Sequence, residues 1–226
     1  MCLRPNLELP VKNYAILIDA GFLKRKLGSQ KNPVTDERIL SFVELLKKHE
    51  LLTSLNLHRI YYYDSPPLTE TIAVPLSNER INYATTALGK LNDALLKKLA
   101  HAPYFALRLG EVDFRGWKIN QKRLQEKSDR IEITKDDLSP NITQKGVDMR
   151  IGLDIASLTL KKQVQVIVLV TGDSDFVPAM KFARREGAQL FLVSLNHAIK
   201  DSLIHHSDVV LSVDIACLIA TEPKED

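Results

Sequence analysis

Asp19 follows the apolar run Tyr14-Ala-Ile-Leu-Ile18, and Asp173 and Asp175 follow Val166-Ile-Val-Leu-Val-Thr171 across Gly172. Acids placed this way stand at the carboxyl ends of buried strands. In an open parallel sheet, ligands bind outside those ends, where the strand order reverses. Carboxylates brought together there repel one another and lose hydration, and both effects disfavour the charged form. A hard cation removes the penalty, and an all-oxygen ligand set suits Mg²⁺ or Mn²⁺ better than zinc. The chemistry this points to is the binding of a divalent cation. Each acid also has a plainer role. Asp19 can cap the helix that follows it, and Ser174 or Asp175 can cap the one after Gly172. A cap does not need two acids, however, and a glycine between strand and acids lets the backbone approach something closely.

Gln144-Lys145-Gly146-Val147-Asp148 forms a third element, a polar approach that runs into a helix. Asp148 favours the positive end of that helix. With Lys145 and Gly146 directly before it, the segment also reads as the rim of a site, in which Lys145 contacts phosphate. Asp154, about two turns on, is a weaker candidate. Ser174 has no histidine beside it in sequence and reads as a cap or a substrate contact rather than a nucleophile. His197, His205 and His206 are a cluster to set against a plain surface pair. No Gly-x-Gly-x-x-Gly follows the first strand and no P-loop occurs, which disfavours dinucleotide and nucleotide-triphosphate sites.

The acids need elements that place them. Strands are expected at Tyr14 to Asp19, Leu57 to Asp64, Tyr104 to Leu109, Gln165 to Thr171 and Gln189 to Ser194, each short and rich in apolar or β-branched types. Between them, helical spacing marks Asp36 to Leu52, capped by Thr35 or Asp36, then Ser77 to Ala100, Asp148 to Leu160, and Phe176 to Glu186, stopped by Gly187. Ala198 to His205 reads as a short helix, and Val209 to Val213 closes the fold. Val112 to Asn120 is expected to form a hairpin arm with the end of the third strand. Gln121 to Thr143 reads as a polar loop, and so long a loop is unusual in a compact domain unless it is functional. Strands alternating with helices mean βαβ units and a parallel sheet with helices on both faces.

Ile18-Asp19-Ala20-Gly21-Phe22, Lys145-Gly146-Val147-Asp148 and Thr171-Gly172-Asp173-Ser174-Asp175-Phe176 together resemble the NYN domain family, of the LabA-like branch of the PIN-like nucleases. The resemblance runs from about Tyr14 to Leu211, with Ser202-Leu203 and Asp208 similar to the family's closing segment. It implies an α/β, Rossmann-like (PIN-like) sheet of strand order 3-2-1-4-5, a Mg²⁺ or Mn²⁺ site, and ribonuclease activity. Carried over position by position, the metal-binding and catalytic acids are Asp19, Asp148, Asp173 and Asp175. Ala20-Gly21-Phe22 departs from the family by standing where many relatives place an asparagine shortly after the first acid.

The chain has 226 residues, 45% of them hydrophobic, and a formal net charge of +3. One domain over residues 1–226 is expected, with its core at about 14–213 and a basic insertion at about 112–144. No apolar run approaches the roughly 18 residues that a membrane span requires. Met1 to Lys12, with Pro5, Glu8 and Pro10, has no signal-peptide block. Cys2 and Cys217 lie at opposite ends, so a reducing, cytoplasmic location is expected. The mild charge permits nucleic-acid binding without demanding it. Arg115, Trp117, Lys118 and Arg123, with Lys122, Lys127 and Arg130 nearby, are the expected contacts to RNA, cations tracking phosphates and the single tryptophan offering a stacking face. Lys24 to Lys26 could flank such a groove, and Tyr63 and Asp64 lie near it. RNA is the expected partner, self-association is left open, and two other readings stand beside the ribonuclease. One is a metal-dependent phosphatase using the same acids, the other a regulatory module that binds RNA or protein without cutting.

Overall fold

The structure, a computed structural model, describes residues 11–29, 31–124 and 130–219. Residues 1–10 of the segment read as lacking a signal block, Cys2 among them, Lys127 and the tail from 221 to 226 lie outside those residues. In chain order the elements are β1 Asn13–Asp19, α1 Ala20–Leu27, α2 Asp36–Lys47, β2 Asn56–Asp64, the short β3 Thr71–Ala73 and β4 Arg80–Asn82, α3 Ala87–Ala100, β5 Phe105–Leu109, β6 Glu111–Ile119, α4 Gln121–Leu124, β7 Leu138–Lys145, α5 Val147–Leu160, β8 Val166–Val170, α6 Val177–Arg185, β9 Gln189–Val193, α7 Asp201–His205, β10 Val209–Leu211 and α8 Ala216–Ile219.

Six strands form one parallel sheet in the order β10-β9-β8-β1-β2-β5. The five expected strands stand in the expected order, and β10 adds a sixth at the edge beside β9. Strand β1 alternates its side chains between two cores, as a strand buried on both faces must. Tyr14, Ile16 and Ile18 pack with Phe22 and Leu23 of α1, Phe42 and Leu46 of α2 and Leu96 and Leu99 of α3. Ala15 and Leu17 pack on the other face with Ile151 and Ile155 of α5 and Met180 of α6. The chain leaves β1 toward β2 on one side and returns through β8 on the other, so the order reverses between β1 and β8. Both strands run in the same direction, with Ile18 opposite Val170, which brings Asp19 and the Thr171–Asp175 turn to the same edge. No helix among the described residues is long and apolar enough to cross a membrane.

Two expectations are corrected. The helix expected from Ser77 starts only at Ala87. Before it, β4 pairs with β3, and Asn82 accepts a hydrogen bond from the Ala84 N–H. Thr86 then caps α3 by accepting from the Gly89 N–H. Short polar side chains that bond the nearby backbone compete with helix. Gly89 fits this turn because a Cβ there would stand 2.3 Å from the Tyr83 carbonyl oxygen.

The arm is also built differently. Strand β6 pairs with β7, not with β5, and so the segment read as loop from Gln121 to Thr143 supplies a strand. The register slips between Phe114 and Trp117, where Gly116 takes φ +85°. Gly110 lets the arm cross the sheet edge, since a Cβ there would lie 2.5 Å from the Lys145 carbonyl oxygen and 2.7 Å from Val147.

Candidate functional site

Asp19 ends β1 and caps α1, its Oδ1 accepting from the Phe22 N–H at 3.1 Å. Its other oxygen accepts from the hydroxyl of Thr171 at 3.2 Å. Thr171, fully buried at the end of β8, also accepts at Oγ from the Asp173 N–H at 3.1 Å. One hydroxyl therefore ties the acid after β1 to the backbone of the acid after β8. Asp173, rather than Ser174 or Asp175, caps the turn that follows, its Oδ1 accepting from the Asp175 N–H at 3.0 Å. The plainer capping roles thus do occur, and for Asp19 and Asp173 each uses only one carboxylate oxygen.

The third acid arrives on α5. Gly146 takes φ +74° at the helix entry, a left-handed conformation that glycine adopts at little cost. Asp148 lies on the exposed first turn. Burial holds the Asp19 carboxyl above the usual carboxylate range. The hydrogen bonds from Phe22 and Thr171 and the charge of Arg25 oppose this, while the charge of Asp148 adds to it. Asp148 is raised by partial loss of hydration and then by the charges of Asp173 and Asp175. The four acids expected to act together thus form one electrostatically coupled set with Asp148 as its common member. Among the described residues, no three His, Cys, Asp or Glu side chains are close enough to hold one ion as they stand. The cluster of His197, His205 and His206 therefore does not form.

Asp19 and Asp173 line a cleft of about 190 Å³ together with Phe22, Arg25, Ser174, His197 and Lys200. Gly172 lines it as well. A Cβ there would meet the rings of His197 and Phe22, each at 2.7 Å, so the close approach expected of this glycine is to those rings. Phe22 and His197 stand edge to face at 5.8 Å. The Lys200 ammonium donates to Ser174 Oγ at 2.9 Å. Sequence spacing does not single out Lys200, and it offers His197 only as one of three clustered histidines and Arg25 only within a basic run. The Lys24–Lys26 run hinted at Arg25. His197 and Lys200 lie beyond β9, and no local pattern brings them to β1.

The expected substrate contacts are placed differently from one another. Lys145 pairs with Asp113 at 2.5 Å, and Arg115 pairs with the same oxygen at 3.3 Å. Arg123 pairs with Asp137 at 2.9 Å and donates to the Glu132 carbonyl oxygen, which ties down the end of the arm. Trp117 packs edge to face on Phe114 at 6.0 Å, while Lys118 is exposed on β6. Asp154 faces away from the cleft, accepting from the Tyr63 hydroxyl at 3.0 Å and from Arg108 at 2.9 Å. Asp64, buried at the end of β2, is neutralised by Lys24 at 2.6 Å.

Comparison with known proteins adds three findings. An uncharacterized protein of Methanocaldococcus jannaschii is 26% identical over 74 residues, which are 33% of this chain and 31% of that relative. The chain thus matches about a third of that relative's length. A crystal structure of a protein of unknown function from Vibrio parahaemolyticus covers 90% of this chain and 94% of its own, with a TM-score of 0.49 and 14% identity. The family model of the NYN domain matches residues 13–216, nearly the whole chain and all three acid-bearing motifs, and on that match the chain belongs to the NYN domain family.

Proposed function

We propose that the cleft at the β1/β8 edge is a divalent-metal centre that hydrolyses RNA phosphodiester bonds, with Asp19, Asp148, Asp173 and Asp175 as its acids. The observation that carries this reading is the coupling of those carboxylates. Asp148 raises Asp19 and is itself raised by Asp173 and Asp175, at the point where the strand order reverses. Family membership supports it, since NYN domains share a PIN-like nuclease fold and are generally hydrolases. The motifs point within that family to the LabA-like branch.

The donor set fits Mg²⁺ or Mn²⁺ in kind, being carboxylate oxygen throughout. Asp148, Asp173 and Asp175 are exposed, and capping uses only one of the two Asp173 carboxylate oxygens. A cation held there would polarise a water and stabilise the leaving oxygen. The chain's own residues do the rest. Thr171 holds Asp19 and the Asp173 backbone in register. Arg25 and Lys200 place positive charge on the cleft wall, where it would meet a phosphate. Lys200 orients Ser174 Oγ, the expected substrate contact. On the arm, Trp117 and Lys118 would meet RNA more directly than Lys145, Arg115 and Arg123, which are paired with Asp113 and Asp137.

The test is purified protein incubated with labelled RNA and Mn²⁺ beside an Asp173→Asn variant. Metal-dependent cleavage that the variant loses supports the nuclease. Binding without cleavage in both proteins refutes it in favour of a regulatory module. Release of phosphate from small esters with RNA untouched refutes it in favour of a phosphatase.

A further inference from the structure

A second concavity, of about 980 Å³, lies between α1, the loop after it and α3. That is the upper end of the roughly 300–1,000 Å³ range of sites that take small organic molecules. Lys24, Arg25 and Lys31 line it, and the lining contains no acid among the described residues. Lys24 is anchored by Asp64 at 2.6 Å and by Asn92 at 3.1 Å, whereas Arg25 and Lys31 are exposed. The α3 wall presents Leu88 and Leu91, which are 59% and 53% exposed. Two large apolar side chains held open to solvent beside cations are what a ligand with both flat apolar faces and negative charges would cover.

The groove and the acid cleft share a lining residue. Arg25 lines the groove and the acid cleft alike. A Cβ on Gly21 would lie 3.3 Å from Asp19 Oδ1 and 3.7 Å from Arg25 Nη1, which places the guanidinium beside the first acid. On the opposite wall Gln144 ends the approach to α5, four residues before Asp148. On the arm, Arg115 and Lys145 share the single carboxylate of Asp113, and Arg123 pairs with Asp137.

We infer that this groove is the track for a single-stranded RNA segment flanking the scissile bond, with Arg25 and Lys31 on its phosphates and Leu88 and Leu91 against its bases. The choice of RNA rests on the ribonuclease reading above; the placement rests on the groove. Strand passing Arg25 enters the acid cleft directly, so this wall sets which nucleotides lie beside the cut.

The test is fluorescence anisotropy with labelled oligouridylate in chelator, across a salt series, with melting curves as a check on folding. The variants are Lys31→Ala, the pair Leu88→Ala and Leu91→Ala, and the arm pair Arg115→Ala and Lys118→Ala. All five positions are exposed. Lys31→Ala is expected to weaken binding and lower the salt slope by about 0.7, the loss of one phosphate contact to a single strand. The leucine pair is expected to weaken binding about tenfold with the slope unchanged, the signature of lost apolar contact. Unchanged affinity and slope in both groove variants, or no binding by the wild type, overturns the inference and leaves the leucines to a protein partner. These readouts do not involve cleavage. Failure of the nuclease reading appears separately, as intact binding with no Mn²⁺-dependent product.

Discussion

Replacing Thr171 by valine probes the connection between the two strand ends. The two side chains have nearly the same shape, and Thr171 is fully buried, so the change removes a hydroxyl and little else. Two bonds go with it, the one donated to Asp19 at 3.2 Å and the one accepted from the Asp173 N–H at 3.1 Å. A bond to a charged group contributes roughly 1.5–3 kcal/mol and a neutral one roughly 0.5–1.5. Asp173 is exposed and Asp19 only half-buried, so water recovers part of both. The expected loss is about 1.5–3 kcal/mol, which at this chain length lowers Tm by roughly 4–10 °C.

The same hydroxyl lowers the pKa of Asp19. Its removal lets burial push that carboxyl higher, so at the proposed metal centre protons would compete with a cation to a higher pH. The acid limb of Mn²⁺-dependent cleavage should therefore move up in Thr171→Val and return in Thr171→Ser, which keeps both bonds. Melting in chelator and a pH series of cleavage rates read the two effects. A valine variant that melts with the wild type and keeps its acid limb would refute the claim that this hydroxyl joins the acids.

Asp19→Asn should melt level with or above the wild type in chelator at neutral pH. The carboxyl is raised above its unfolded value of 3.8, so its protonated form favours folding at low pH. That contribution is lost as pH climbs through the raised value, and the variant, which still caps α1, escapes the loss; a clear drop in its Tm at pH 7 would mark Asp19 as structural. Gly172→Ala should cost about 1–3 kcal/mol, because its methyl group would stand 2.7 Å from Phe22 and His197 in a site with little room to yield; a neutral change in Tm would contradict that packing. Tyr63→Phe removes the 3.0 Å bond to Asp154 and should cost about 1 kcal/mol with cleavage unaltered, since Arg108 still holds Asp154 outside the cleft; lost cleavage would bring Asp154 back into the site.

Much of the fold was legible because its signals are local. The apolar runs ending at Asp19 and Thr171 read as buried strands, the cap at Thr35 and the stop at Gly187 follow from residue type, and the alternation of strand with helix implies a parallel sheet. The acids were legible for the same reason, as each directly follows such a strand or opens a helix. The β6–β7 arm was not, because its two strands are joined through a polar stretch with weak periodicity, and pairing across that distance depends on tertiary contact rather than on local pattern. The late start of α3 was hidden by a similar effect, since Asn82 and Thr86 bond their neighbours where spacing alone continued the helix.

The chain's residue order by itself determined that acids would stand at strand ends, because the period and length of each apolar run place its last residue. Only the tertiary structure decided which distant groups join them. Arg25 points from α1 into both the cleft and the groove, and Lys200 reaches Ser174 from beyond β9. Asp113 draws Arg115 and Lys145 to one carboxylate. Those outcomes depend on which cation finds which carboxylate in space, and Coulomb attraction acts over distances that the spacing of residues along a chain does not record.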